Sequence, residues 1–305
     1  MSQRLPPWIR KSLLTDKGFS QVNSLVDTMR LKTVCEEARC PNRHECWNRG
    51  TATIMILGET CTRSCGFCAV KSGRPEGLDT DEPRRVAAAA KAMNLKHIVI
   101  TSVNRDDQAD GGSAIFAETI RKVKAALPEC TVEVLTPDFE GVESSLANIL
   151  EAGPHVYNHN LETVKRLQAA IRPQANYGRS LNTLRFASQW QPTIHAKSGI
   201  MLGLGETEEE IVEALQDLYD AGCRMLTLGQ YLRPSRDHLE VVKYYEPEVF
   251  DRLAEVARDI GFPAVASGPM VRSSYRAEDL YAQVASGSMD HRSVADSTTH
   301  PASTS

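Results

Sequence analysis

Apolar residues recur along this chain with two alternating periods. Over 96–103 (KHIVITSV) β-branched residues run together, which predicts a strand buried on both faces. Over 114–127 apolar positions return every three or four residues and predict a helix. The same change of period predicts further strands over 131–135, 155–158, 193–202, 225–228 and 263–266. Helices are predicted over 84–93, 143–151, 161–170, 180–190, 207–219 and 249–260. The helix from 207 opens on a capping box, Thr207-Glu-Glu-Glu210, and Ile211, Leu215 and Leu218 share one of its faces. A short apolar run over 53–57 leads into a cysteine-bearing loop. Upstream, Val22, Leu25, Val26 and Met29 predict an amphipathic helix over 20–31. Strand-then-helix units repeated six or seven times imply a parallel sheet with right-handed crossovers. That number suits a barrel or partial barrel with its chemistry at the C-terminal strand ends. Residues 286–305 are Ser/Thr-rich with almost no large apolar side chains, so a disordered tail is expected there.

Composition narrows the class. The 305 residues suffice for one large α/β domain with extensions, or for two domains. A hydrophobic content of 41% supports a sizeable core. A net charge of −4 argues against general nucleic-acid binding. No apolar run reaches membrane-spanning length, and the first ten residues lack the apolar centre of a secretory signal. Residues 1–50 carry nine Lys/Arg against five Asp/Glu. Such a mildly basic arm is either a solvated face or an aid to docking an acidic partner. Six of the eight cysteines crowd between positions 35 and 68, which fits metal binding in a reducing cytoplasm better than a disulfide framework.

Cys61, Cys65 and Cys68 are spaced C-x3-C-x2-C. Three thiolates this close can converge on one metal centre, yet they fall one ligand short of a closed four-ligand shell. The shortfall leaves one metal atom open to a small molecule. The alternative is a zinc knuckle with a distant fourth ligand, although zinc pairs usually keep C-x2-C or C-x4-C spacing. A second triplet, Cys35, Cys40 and Cys46, is spaced C-x4-C-x5-C, and a zinc loop with His44 as fourth ligand is its alternative. Polar residues gather where strands should end: Ser102, Asn104, Arg105, Asp106 and Asp107 after one, and Asn158 through Thr163 after another. Turns would explain any single one of them. Glycines in Gly199-Ile-Met-Leu-Gly203-Leu-Gly205-Glu206 would let backbone approach a flat ligand. Cys130 and Cys223 lie outside both triplets and are expected to be buried small hydrophobes.

C-x3-C-x2-C resembles the signature of the radical S-adenosylmethionine (SAM) superfamily. There, three cysteines hold a 4Fe–4S cluster whose fourth iron is chelated by SAM. C-x4-C-x5-C, followed by C-x3-C-x2-C fifteen residues after its last cysteine, is similar to the lipoyl synthases. So are Asn42 and Trp47, the blocks TSVNRDDxxDGG and NHNLET, the Gly229-Gln-Tyr-Leu-Arg233-Pro segment, and Arg272-Ser273-Ser274-Tyr275. The resemblance spans about residues 30–285, in order.

The resemblance implies a partial (β/α)6 barrel of the TIM type over 51–266. It implies an N-terminal extension over 1–50 with an auxiliary cluster motif, and a segment over 267–285 that completes the auxiliary site. It implies a SAM-binding 4Fe–4S cluster on Cys61, Cys65 and Cys68, and an auxiliary 4Fe–4S cluster on Cys35, Cys40, Cys46 and Ser274. Around SAM it implies Phe67 against the adenine, with Thr101, Ser102, Asn160, Glu162, Met201 and Gly203 nearby. Lys197 and Ser198 are expected at the carboxylate or ribose. The implied reaction inserts two sulfurs into an octanoyl chain amide-linked to a carrier lysine, with the auxiliary cluster as sulfur donor. The implied carriers are lipoyl domains of 2-oxoacid dehydrogenases and the glycine cleavage H protein. An electron donor such as ferredoxin or flavodoxin, a cytoplasmic location and a monomeric state complete the expectation. Biotin synthase would share C-x3-C-x2-C but lack C-x4-C-x5-C and R-S-S-Y. A ferredoxin-like carrier would need neither a barrel of this size nor an open coordination site. A zinc-stabilised binding module would be colourless as purified.

Overall fold

Alternating strands and helices assemble as the periodicity dictates. A computed structural model describes residues 5–9, 26, 28–37 and 40–285. Its main sheet holds β1 (Lys32–Thr33), β2 (Thr51–Ile56), β5 (His97–Ser102), β6 (Thr131–Leu135), β7 (Val156–Asn158), β8 (His195–Leu202), β9 (Met225–Gln230) and β10 (Ala264–Gly268), neighbours in that order. Only β1 is antiparallel, on β2; the other seven strands run parallel. Short strands β3 (Thr60–Cys61) and β4 (Lys71–Ser72) pair separately and close the loop after β2. The principal helices are α3 (Glu82–Ala92), α4 (Ser113–Ala126), α5 (Glu143–Glu151), α7 (Tyr177–Trp190), α8 (Glu208–Asp220) and α9 (Pro247–Ile260). Short helices α1 (Val34–Glu37), α2 (Arg43–Asn48) and α6 (Gln168–Ile171) lie between strands or before them. The capping box at the start of α8 is formed in both directions by Thr207 and Glu210.

Strand residues alternate cleanly between two environments. Ile54, Ile56, Ile98, Ile100, Val132 and Val134 pack in one helix-side core. Ala196, Ile200, Leu202, Leu226 and Leu228 pack in the next. Their strand neighbours, among them Thr53, Val99, Glu133, Lys197 and Thr227, therefore face the interior.

The last described helix, α10 (Ala277–Ala285), shows that the sheet curls. Leu280 packs with Val156, Met225 and Ala264, the first residues of β7, β9 and β10. Tyr281 stands edge-on to His195, which opens β8, with ring centroids 5.9 Å apart. Glu278 accepts from Thr51 Oγ1, at the start of β2, at 2.7 Å. One helix can reach the first residues of β2, β7, β8, β9 and β10 only if they converge beneath it. The result is a partial barrel plugged at its N-terminal end and open along one side, between the β1–β2 edge and β10.

Residues 42–49 and 270–279 meet across that side. Asn42 Nδ2 donates to Met270 O at 2.7 Å, and Arg49 pairs with Glu278 and Asp279 at 2.7 and 2.6 Å.

One predicted helix forms only in its second half. Of residues 161–170, only a 3-10 turn, Lys165–Leu167, and the start of α6 are helical. Glu162 instead takes a left-handed φ of 69°. It pairs with β8, its N–H donating to Gly199 O and its carbonyl accepting from Met201 N, both at 2.9 Å. The apolar period there is spent on packing, since Leu161 and Val164 enter the second core. Most of the helix expected over 20–31, and the whole of 286–305, lie outside the described residues; Val26 is buried in the first core.

Candidate active site

The thiol loop between β3 and β4 sits at the C-terminal strand ends, clamped from several sides. Gly66 N–H donates to Ile171 O at 2.9 Å, and Leu239 N–H donates to Gly66 O at 3.0 Å. A Cβ on Gly66 would stand 2.8 Å from Leu239, so only glycine lets both segments close in. Arg63, almost fully buried, forks onto Asp106 at 2.8 Å and reaches Asp138 Oδ1 at 2.8 Å. Burial would push the Asp138 carboxyl up, but Arg63 and Arg179 hold it well below the usual carboxylate range. The block after β5 is thereby explained. Asn104 N–H donates to Cys61 Sγ at 3.2 Å, Asp106 grips Arg63, Arg105 pairs with Asp107, and Asp110 accepts from Gly112 and Ala114 at the start of α4.

None of the eight cysteines is in a disulfide. Cys61 Sγ also accepts from Arg63 N–H at 3.4 Å. Burial pushes the Cys68 thiol up to about 11, against the N–H of Val70. Burial likewise raises Cys65, while the Arg172 guanidinium, hydrogen-bonded to its sulfur, pulls the other way. Arg172 is itself tied to the carbonyls of Asn160 and Leu161 at 3.1 and 3.2 Å. Glu162, beside Cys65 and Arg172, has its carboxyl raised by burial and opposed by Arg172.

Several expected SAM contacts converge beside these thiols. Phe67 and Met201 join one apolar cluster with Ile171, Leu204 and Tyr231. Asn160 Nδ2 donates to Glu162 Oε1 at 3.1 Å, and Thr101 Oγ1 to Leu135 O at 2.8 Å. Asn104 Oδ1 and Asn160 Oδ1 are buried without a partner, as is Ser102 Oγ, which strand alternation turns with Ile98 and Ile100 to the helix side. Orphaned buried polar atoms mark where a polar ligand belongs. With three free thiols, N–H donors aimed at sulfur and an apolar wall at Phe67, the residues fit a SAM-binding iron–sulfur cluster. Among the described residues no three His, Cys, Asp or Glu side chains close into a cage for a single ion.

Two expected residues point elsewhere. Ser198 is fully buried on the helix side of β8, donating to His159 O and accepting from Leu161 N–H at 2.9 and 3.1 Å. Lys197 faces the barrel interior but is paired with Glu133 at 2.8 Å. Gly203 has φ 108°, and a Cβ there would stand 2.2 Å from Gln230 Nε2 and 2.5 Å from Lys243 O. Its glycine makes room for protein, where a close approach to ligand had been expected.

The second triplet lies in the side opening. Cys35 is buried on α1, and burial raises its thiol to about 11, opposed by hydrogen bonds from Thr53 and Trp47. Burial raises Cys46 to about 12, with Cys35 and Cys40 adding to the rise, so the three sulfurs share one neighbourhood. The Arg276 N–H is directed at Cys46. The half-buried Arg272 guanidinium feels Cys40. Tyr275 Oη and Arg276 Nε reach Glu45 at 3.0 and 3.1 Å. The turn 272–276, which carries Ser274, is thus laid against this triplet. Three converging thiols, met by backbone and guanidinium donors, fit a second cluster.

Arg172 and Asp138 escaped the sequence reading, and His238 entered it only as part of the segment from Gly229, expected near the substrate or the auxiliary cluster without a role of its own. His238 Nε2 lies 3.0 Å from Cys68 O, and its Nδ1 2.9 Å from Ser235 Oγ. No periodicity marks such residues; Arg172, between Ile171 and Pro173, reads as an ordinary surface arginine. Cys130 and Cys223 are buried in the two main cores, as expected.

Comparison with known proteins agrees with this geometry. The radical SAM superfamily matches residues 55–218, and the N-terminal domain of lipoyl synthase matches residues 1–40. A lipoyl synthase of Rubrobacter xylanophilus is 51% identical over 287 residues, covering 94% of this chain and 89% of the relative. One of Symbiobacterium thermophilum is 53% identical over 280 residues, covering 92% and 88%. Among solved structures, the FeFe-hydrogenase maturase HydG of Carboxydothermus hydrogenoformans aligns with TM-score 0.54 at 13% identity, covering 88% of this chain and 70% of that one. Methylornithine synthase aligns at TM-score 0.50 and 16% identity, covering 77% and 72%. These two show the fold alone. Thiol spacing, barrel and whole-length identity converge, and the chain belongs to the lipoyl synthase family of the radical SAM superfamily.

Proposed function

We infer that this enzyme inserts two sulfurs at unactivated carbons of an octanoyl chain held on a carrier lysine, giving the lipoyl group. The observation that carries the reading is the pair of thiol triplets, one over the C-terminal strand ends and one in the side opening of the same barrel. When bound, the cluster on Cys61, Cys65 and Cys68 supplies the electron that cleaves SAM to a 5′-deoxyadenosyl radical, and the cluster on Cys35, Cys40 and Cys46 supplies sulfide. An aliphatic C–H bond offers no acidic proton, so this chain's residues do no acid–base work on it. Their task is to position, and to exclude water and stray hydrogen donors. Arg63 and its two aspartates fix the thiol loop. Phe67 and Met201 offer an apolar wall to an adenine. Asn160, Glu162 and Arg172 offer polar partners to the methionine end of SAM.

In this reading Ser274 is the fourth ligand of the auxiliary cluster, supported by the turn that brings it to the triplet. The carriers are lipoyl domains of 2-oxoacid dehydrogenases and the glycine cleavage H protein, and the reductant is a ferredoxin or flavodoxin. No helix among the described residues is long and apolar enough to cross a membrane. The test is anaerobic purification with iron and sulfide analysis, followed by turnover of an octanoyl-lysyl peptide with SAM and a strong reductant. About eight irons per chain are expected, two cubanes being implied. Two deoxyadenosines should form per lipoyl product. Deoxyadenosine without any sulfur in the peptide would sink the reading.

A further inference from the structure

The loop after β9 has a task that the chemistry above leaves open. Residues 231–246 form neither helix nor strand. Loops of that length inside a packed domain are usually functional. This one passes over the SAM-side thiols. Leu239 N–H donates to Gly66 O at 3.0 Å, and Tyr231 Oη donates to Leu239 O at 2.8 Å. Leu239, Val241 and Tyr231 also join the apolar cluster that holds Phe67. Gln230 anchors the far end, donating to Lys243 O at 3.0 Å and accepting from Tyr245 N–H at 2.9 Å. The loop is thus held in place by bonds that do not involve His238.

His238 reaches the third thiol-bearing residue. Its Nε2 lies 3.0 Å from Cys68 O. A carbonyl oxygen can only accept, so Nε2 carries the proton. Nδ1, 2.9 Å from Ser235 Oγ, is then the acceptor of the neutral ring, and the serine hydroxyl donates to it. Ser235 thereby fixes both ring and tautomer. The Cys68 carbonyl belongs to the peptide unit that leads into Ala69 and Val70, before β4 begins at Lys71. Val70 N–H is directed back at the Cys68 sulfur. Fixing the carbonyl therefore fixes the turn that aims this donor. An N–H directed at a thiolate ligand favours the more negative, reduced state of a cluster and raises its potential.

We propose that His238 is a positioning residue that holds the Cys68 carbonyl, keeps the Val70 N–H on the Cys68 sulfur, and so raises the reduction potential of the SAM cluster. The proposal rests on the assignment of that cluster to Cys61, Cys65 and Cys68. It gives the loop after β9 a part in accepting the electron, without any contact to SAM.

The test is a redox titration of the anaerobic holoenzyme followed by electron paramagnetic resonance. The signal that added SAM alters reports this cluster. His238→Leu keeps the bulk and removes the donor. At a fixed poise it should leave about tenfold less of that cluster reduced, a shift of about 59 mV to lower potential for one electron. The auxiliary cluster should titrate as in wild type. His238→Gln, whose amide can donate to the same carbonyl, should recover most of the shift. Full iron with an unshifted potential in His238→Leu would overturn the role, as would an equal shift in the leucine and glutamine variants. Should the leucine variant lose that cluster, Ser235→Ala decides, because it frees the ring while leaving the imidazole. It should give a smaller shift of the same sign, and no shift would overturn the role. A wild-type signal that does not respond to SAM would overturn the cluster assignment itself, and this role with it.

Discussion

Tyr275 donates its hydroxyl to Glu45 at 3.0 Å, joining residues 230 positions apart. Glu45 sits on α2 between Cys40 and Cys46, so the bond ties the turn carrying Ser274 to the second triplet. Tyr275→Phe should cost about 1 kcal/mol, with Arg276 left as partner of Glu45. SAM cleavage should be unchanged, while lipoyl formation falls severalfold and a chelator strips auxiliary iron faster. Unchanged iron retention and lipoyl yield would show that the bond is incidental.

The two triplets should separate the two halves of the reaction. Cys65→Ala is expected to abolish reductive SAM cleavage, measured as deoxyadenosine. Cys46→Ala is expected to spare cleavage and abolish sulfur insertion, measured by mass spectrometry of the peptide. Circular dichroism must first show both variants folded, because a lost cluster can destabilise its surroundings. Lipoyl product from Cys46→Ala would remove the sulfur-donor role.

Ser274 can be tested against its neighbour. Ser274→Ala should keep SAM cleavage and impair lipoyl formation, whereas Ser273→Ala should do neither. Ser274→Cys replaces a hard oxygen by a soft sulfur and should give a cluster that surrenders sulfide poorly. Wild-type yield from Ser274→Ala, with Ser273 intact, would take Ser274 out of the mechanism.

Arg63 and Asp138 give a pH dependence whose sign follows from burial. Asp138 is fully buried and its folded carboxyl is held below the ordinary value. Its stabilising contribution is therefore present above the unfolded value of about 3.9, and is lost as pH falls through the lower folded one. Arg63→Met leaves that carboxylate with Arg179 alone and should cost about 3–5 kcal/mol at neutral pH. The cost should shrink below about pH 4, where protonation relieves the unpaired charge. Urea unfolding of the metal-free chain between pH 3.5 and 7.5, about the range set by these values, reads the trend. A cost that does not vary with pH would assign it to packing.

The barrel was legible because its strands are continuous apolar runs and its helices carry a clear stripe. The two thiol triplets were legible because their cysteines are close in sequence. What surrounds them was not. Glu162 sits in an apolar period that reads as helix, yet pairing with Gly199 and Met201 overrides it. Ser198 looked like a ligand contact because it adjoins the glycine motif, but strand alternation turns it to the helix side. Arg63, Asp138 and Arg172 are charged residues in loops, and only the fold shows that their partners are buried.

The side opening is built from residues 35–49 and 270–279, so its parts are made at opposite times. A ribosome that has reached residue 266 has made both thiol triplets and every strand of the barrel except the end of β10. It has not yet made the turn that covers the second triplet, nor the helix that plugs the barrel beneath it. Contacts of such long sequence separation close last. The surroundings of the two triplets are thereby completed in a fixed order of synthesis. The residues around Cys61, Cys65 and Cys68 are all made while those around Cys35, Cys40 and Cys46 still wait for the end of the chain.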